Sequence, residues 1–540
     1  MSAAIGADAL RAALLDGEEI ALLDVREEAD FGPQHILLAI HLPLSRLEPR
    51  AAWLVPRRTT RIVLCDGAGE GLAARAAGIL EAHGYSDVAV LEGGVAAWQA
   101  AGHATFSGVN VPSKAFGEVV EHRYGTPSIS PQELKAKIDA GENLVVVDSR
   151  PLDEFRVMSI PTATCVPGGE LVWRIGALAP DPATLVVVNC AGRTRSIMGA
   201  QSLINAGIPN RVVALRNGTM GWHLAGLALD HGQSRYLPEV PPAGAEDARR
   251  RAQAVGARFG VSRIDRATLQ AGQAEPGRTT YLLDVRAPEE FLAGHLPGSI
   301  SAPGGQLVQA TDRYVGTLRA RLVLVDEDGV RAAMTASWLR QMGLHEVAVL
   351  EGGLAGGPLE TGPAPERALG LAALRYREIA PQALRDALAG GRTQLVDLTR
   401  SVEFRAGHIA GARHGVRTRL AELIPALPAH DLLTLTSDDG LLARYAAAEA
   451  EGLGEAEVRV LAGGNQAWRA AGLPLVAGED GLEPKPVDAH LRAYDCTANV
   501  EEAMQAYLDW EVDLINRLEE DGTLPFRRDA IPGAPPAPGA

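Results

Sequence analysis

The chain has 540 residues, 46% of them hydrophobic and 22% charged, with a formal net charge of −16. That length predicts about three to five domains, and the acidity argues against nucleic acid and anionic membrane surfaces as partners. Four cysteines (Cys65, Cys165, Cys190, Cys496) are too few for a disulfide framework, and none sits in a CxxC pair or near a metal-like His cluster, so neither a metal site nor a cofactor is expected. No run approaches the ~20 apolar residues of a membrane span, and the N-terminus lacks the pattern of a secretory signal. A soluble protein of a reducing compartment, the cytoplasm, is the expectation.

Along the chain, one pattern returns four times. "LLDVREEADF" starts at Leu22, "VVDSRPLDEF" at Val146, "LLDVRAPEEF" at Leu282 and "LVDLTRSVEF" at Leu395, each an apolar run ending in Asp with a Phe seven positions later. A second signal follows in every copy: "LEGGVAAW" at Leu91, "LRNGTMGW" at Leu215, "LEGGLAGG" at Leu350 and "LAGGNQAW" at Leu461. The repeat is the size of a small domain rather than of a solenoid unit. It predicts copies over 5–105, 126–236, 260–362 and 375–478, followed by a tail over 479–540.

Within a copy, short Val-rich runs alternate with helix-like stretches. In the second copy "NLVVVD", "ATCVP", "TLVVVNC" and "RVVAL" read as strands, and "RSIMGAQSLINAG" as a helix closed by a C′ glycine. That alternation predicts an α/β fold with a mostly parallel sheet flanked by helices. Segments 110–128 and 237–260 read as linkers, each with a short helix. In the tail, Val500, Met504, Tyr507, Leu508, Leu514, Ile515 and Leu518 follow a helical period, with Asn499 and Glu502 spaced as a capping box. This helix has two candidate packings, back on the fourth copy or against a second chain as a homodimer. The last residues, "IPGAPPAPGA", are expected to be disordered.

The Asp-x-Arg strand end, the acidic-Phe pair, the "GHLPGSI" turn, the strand–loop–helix and the closing "EGG…W" together resemble the rhodanese domain. The resemblance covers roughly residues 5 to 478 as four tandem rhodanese-like copies, and the tail lies outside it. Copy two has Ser159 where the family usually carries His, and copy four has Thr399 where the Asp-x-Arg arginine belongs. The family's nucleophile is a cysteine at the head of the loop after the central strand. Counting back seventeen positions from the helix-closing glycine reaches Cys190 from Gly207, Asp326 from Gly343, Ser437 from Gly454 (with Gly452 as a rival anchor) and Gly67 from Gly84. Copy two alone has a cysteine in register, since Cys65 falls two positions early by this count. Cys65, Cys165 and Cys496 are expected to be inert.

The chemistry at Cys190 follows from "CAGRTRS". Backbone N–H groups feeding a helix N-terminus, with Arg193 and Arg195 beside them, attract anions and are expected to lower the thiol's pKa to roughly 3.5–7.5. Gly192 is expected to let the loop turn tightly, with Thr194 beside it in the donor-binding cradle. By resemblance, Arg150 lies near the site and binds the donor's anionic end, and Asp148 is structural. The implied activity is sulfur transfer from thiosulfate, or 3-mercaptopyruvate, through a Cys190 persulfide to a thiol or cyanide acceptor. Two arginines favour the inorganic dianion. The alternatives are a sensing or binding module that takes up sulfur or oxidant without turnover, and a cysteine phosphatase, for which the four residues between Cys190 and Arg195 make a small cradle.

Overall fold

The computed structural model describes residues 3–483, 485–495 and 498–526. Among them are four five-stranded sheets with one strand order: first, fifth, fourth, second and third in each copy's sequence. In copy two the order across the sheet is Ser128–Ile129, Val212–Leu215, Leu185–Asn189, Leu144–Asp148 and Thr164–Cys165, every neighbouring pair parallel. The central runs are apolar on both faces because both faces are covered. Val186 and Val188 pack with Leu171, Ala200 and Leu203, while Val187 faces the other way onto Phe155, Leu215 and Trp222. The chain leaves Leu144–Asp148 toward one sheet edge and Leu185–Asn189 toward the other. The topological switch point therefore lies at Asp148 and Asn189, the carboxyl ends of these strands, where open α/β sheets place their ligand sites.

The chain divides into two compact units. Among the described residues, one holds those within 1–10, 21–109 and 367–490, hence most of copies one and four; the other holds those within 11–20, 110–366 and 491–526, hence copies two and three with the tail helix. In the first unit Arg417 forms two bonds with Glu48, at 2.7 and 2.8 Å. In the second, Gly168 and Gly169 of copy two abut Gly304 and Gly305 of copy three. A Cβ on Gly169 would stand 2.8 Å from the Gly305 nitrogen, so only glycine permits this approach. Arg331 of copy three reaches Glu170 of copy two at 2.9 Å.

Three expectations are corrected here. The segments read as linkers carry substantial helices, Val111–Tyr124 and Pro242–Arg258, each with a buried face. Residues 113–120 of the first are all buried. The tail forms the helix Val500–Asp521, but Asn499 is in the left-handed region at φ 53° and its side chain caps nothing, so the capping box does not form. That helix lies within the second unit, against Val111–Tyr124 and the loop after Cys190, a packing that neither candidate named. The expected disorder of the terminal residues falls outside the described residues. Among the described residues, no helix is long and apolar enough to cross a membrane.

Candidate active site

Strand register fixes which residue heads each loop. Asp24 pairs with Cys65, Asp148 with Asn189, Asp284 with Val325 and Asp397 with Thr436. The loop-heading residues are therefore Asp66, Cys190, Asp326 and Ser437. Copy one departs from the count: the equivalent of Cys190 is Asp66 rather than Gly67, and Cys65 is one position early. The reason is that its stretch to the left-handed Gly84 is one residue longer. In copy four the left-handed glycine is Gly452 rather than Gly454, yet Ser437 still heads the loop.

Asn189, ending the central strand, donates to Asp148 Oδ2 at 2.7 Å and to Thr219 Oγ1 at 3.1 Å. Cys190 follows, its carbonyl accepting from the Thr219 N–H at 2.8 Å, and the helix Thr194–Asn205 begins four residues on. Ser149 ties strand end to helix by donating to the Asn189 carbonyl at 2.8 Å and the Arg195 carbonyl at 3.2 Å. The Ser196 hydroxyl donates to Cys190 Sγ at 3.0 Å. Neither serine was singled out from sequence. Ser196 has a legible signal, because it sits in the first turn of the helix that follows the loop.

The basic residues divide. Arg195 faces Glu154 with parallel bonds of 2.9 and 2.8 Å. Burial works against both charges, but each supports the other, and Glu154 is held down at about 2. Arg195 also acts on Cys190, favouring its thiolate. Arg193 is engaged by carboxylates of another helix. It bonds Glu118 at 2.8 and 2.7 Å and also meets Glu121, so its charge is spent on the helix Val111–Tyr124 instead of on a donor. Arg150 is 0% exposed, its Nε and Nη2 bound to Asp148 at 2.9 and 2.8 Å and Nη2 also to the Met158 carbonyl. That fork holds the strand end together and engages two of the three guanidinium nitrogens expected to meet the donor.

Two expectations about the loop are corrected. Gly192 is not in the left-handed region, so the turn does not demand glycine there. Its missing Cβ makes room for the tail helix: a Cβ would stand 3.1 Å from Glu511 Oε2 and 3.2 Å from Tyr507 Cε1. The thiol is also not lowered. Cys190 is 2% exposed, and burial pushes it up, with Arg195 and the Ser196 hydroxyl pulling down and Glu511 adding to the rise. Cys65 and Cys165 are fully buried and also pushed up, first by burial and then by Asp24 and Asp148 respectively. Cys496 lies outside the described residues.

The tail supplies the cover. Ala493, Met504 and Leu508 pack with Ala191 and Met220. Glu511, 1% exposed, accepts the Thr194 N–H at 3.4 Å and the Thr194 hydroxyl through Oε1. Sequence reading passed over Glu511, although it shares the helical stripe of Met504, Leu508 and Leu518, where a carboxylate is out of place. A pocket between copies two and three is lined by Arg195 together with Ser149, Gly168, Met198 and Thr335, and Cys190 is not among its lining residues.

The family model of the rhodanese-like domain matches residues 7–101, 130–225, 265–357 and 380–471. A crystal structure of thiosulfate sulfurtransferase from Pseudomonas aeruginosa superposes with a TM-score of 0.91 at 50% identity, over 97% of this chain and 99% of that one. The Mycobacterium tuberculosis protein SseB, provisionally named a thiosulfate sulfurtransferase, is 31% identical over 188 residues, 26% of this chain and 66% of that protein's length. The HTH-type transcriptional regulator Rv0324 of the same species is 33% identical over 110 residues, 20% of this chain and 47% of its own.

Proposed function

The chain belongs to the rhodanese-like domain family, and from that membership we propose a thiosulfate sulfurtransferase with one working site, at Cys190. The observation that carries this reading is positional: Cys190 heads the loop in copy two, where Asp66, Asp326 and Ser437 stand in the others. The Cys190 thiolate attacks the outer sulfur of thiosulfate. The bond from that sulfur to the sulfonate sulfur breaks, sulfite leaves with the electron pair, and a Cys190 persulfide remains. Cyanide or a thiol then takes the outer sulfur and returns the thiolate. Arg195 and the N–H groups opening the helix Thr194–Asn205 balance the donor's charge, with Gly192 and Thr194 in the same cradle. Arg150 acts through Asp148 on the strand end, and Arg193 through Glu118 on the neighbouring helix. 3-Mercaptopyruvate is the second donor to try, and the cytoplasm, a reducing compartment, suits a free thiol.

The burial of Cys190 favours a second reading, in which the thiol holds sulfur for a partner without turnover. Thiosulfate:cyanide activity of the wild type, Cys190→Ser and Cys65→Ser separates the two. Activity lost only in Cys190→Ser supports one working site; a silent wild type favours the holding module; activity in Cys190→Ser overturns the assignment.

A further inference from the structure

The loops of copies one, two and three draw on carboxylates from different places to satisfy their backbone donors. In copy one Asp66 accepts from the N–H groups of Gly69, Gly71 and Ala73 at 2.8, 3.2 and 3.1 Å. In copy three Asp326 accepts from Gly329 and Ala332 at 3.0 and 2.9 Å, and Asp328 from Val330 and Arg331 at 2.8 and 3.1 Å. Both loops are closed by their own carboxylates. Copy two has a thiol at that place, and its carboxylate arrives from the tail helix: Glu511 Oε1 takes the N–H and hydroxyl of Thr194. Glu511 Oε2 is buried beside Gly192 with no hydrogen-bond partner among the described residues.

We infer that Glu511 is the specificity-determining gate of the Cys190 site: its carboxylate occupies the place of a donor's anionic end, and a donor binds by displacing it. The inference rests on the reading of Cys190 as the sulfur-accepting nucleophile. A half-satisfied buried carboxylate is a poor occupant, since its idle oxygen has given up water without recompense. A dianion with oxygens on several sides can engage the same donors more fully. The surroundings also favour an anion at this spot. The buried Lys114 ammonium lies 5.1 Å from the Tyr507 ring centre and 4.8 Å from that of Trp510, on the same helix as Glu511. Burial pulls Lys114 down to about 8, and Glu511 works to keep it charged. While Glu511 is seated, Cys190 is covered and its thiol disfavoured as an anion.

Alkylation of Cys190 in the full-length chain tests the gate without turnover. Iodoacetate, an anion of donor-like charge, is compared with neutral iodoacetamide, and the modified cysteine is assigned by peptide mass mapping. Glu511→Gln is expected to raise the iodoacetate rate about tenfold relative to iodoacetamide and to lower the KM for thiosulfate by a similar factor. Glu511→Asp, which keeps the charge on a shorter arm, should fall between, and it carries the test if Glu511→Gln does not fold. An unchanged ratio of the two rates overturns the gate. Equal acceleration of both reagents overturns it too, because Glu511 would then be a plain cover. A changed ratio with no thiosulfate turnover in any variant keeps the gate and removes the thiosulfate reading.

Discussion

Arg195 and Glu154 meet fork to fork, Nη1 on Oε1 at 2.9 Å and Nη2 on Oε2 at 2.8 Å, and the third copy repeats the pairing with Arg331 and Glu290. In copy two the pair holds the guanidinium where it favours the Cys190 thiolate. Copy three keeps the pair but offers it an aspartate at the loop head.

Glu154 makes the first prediction one of acid stability. Its folded pKa, about 2, lies below the ordinary 4.5, so its contribution is complete above pH 4.5 and disappears as pH falls toward 2. The shift corresponds to at most about 3.4 kcal/mol for this largely buried pair. Urea midpoints of the wild type and Glu154→Gln should differ clearly at pH 6.5 and converge near about pH 2. A gap that stays constant with pH would contradict the assignment.

For the resting thiol, burial sets the sign. The rate of Cys190 alkylation by iodoacetamide should keep rising with pH beyond the ordinary thiol value of 9.0. Ser196→Ala removes the hydroxyl that donates to Sγ, moving the profile further up and slowing alkylation at pH 8 by about tenfold. A plateau reached below pH 8 would show a thiolate already formed in the covered site.

Copy three should resist conversion. In a Cys190→Ser background, Asp326→Cys is expected to restore no sulfurtransferase activity. Asp328 would still hold the Val330 and Arg331 N–H groups, together with the Arg331 guanidinium at 2.6 Å. Adding Asp328→Gly, the residue that copy two has at this place, should open the loop to persulfide formation, read by mass spectrometry after thiosulfate treatment. Turnover by the single replacement would mean that the second carboxylate is no obstacle.

Arg331 is 1% exposed and faces Glu170, Glu290 and Asp328. Arg331→Leu strands three carboxylates around an apolar side chain, which costs about 3–5 kcal/mol for a buried ion pair broken on one side. The expected result is a lower urea midpoint for the unit that holds copies two and three. A midpoint within error of the wild type would mean that water reaches this cluster.

Much of this was legible because it is written in local periodicity. Repeated Asp–Phe spacings and a recurring glycine turn, Gly-Gly in three copies and Asn-Gly in copy two, marked the four copies, and Val-rich runs marked sheets covered on both faces. Counting residues placed Cys190, Asp326 and Ser437 at their loop heads and failed at Asp66, where one additional residue shifts the frame. In copy four the count landed on Ser437 from a glycine that does not close the helix, so strand pairing is the firmer guide. Side-chain direction was not legible: Arg193 and Arg195 look alike in sequence, and their partners Glu118 and Glu154 come from other parts of the chain. Copies one and four also share a unit, joined through Glu48 and Arg417, which chain order does not suggest. Glu511 was missed because a glutamate on a surface helix reads as solvated until its neighbours on the stripe are seen to be buried.

A competitor carried on the same polypeptide cannot be diluted away. Met504, Leu508 and Leu518 hold the tail helix in place, so Glu511 meets the loop at an effective concentration fixed by geometry, millimolar or more for a short tether. Every free anion is weighed against that internal standard, whatever the amount of protein in the cell. Scarce donors then leave the sulfur shut away, and abundant or tightly held ones expose it. The threshold is set by how firmly one helix sits, which a few apolar side chains far from the thiol can tune.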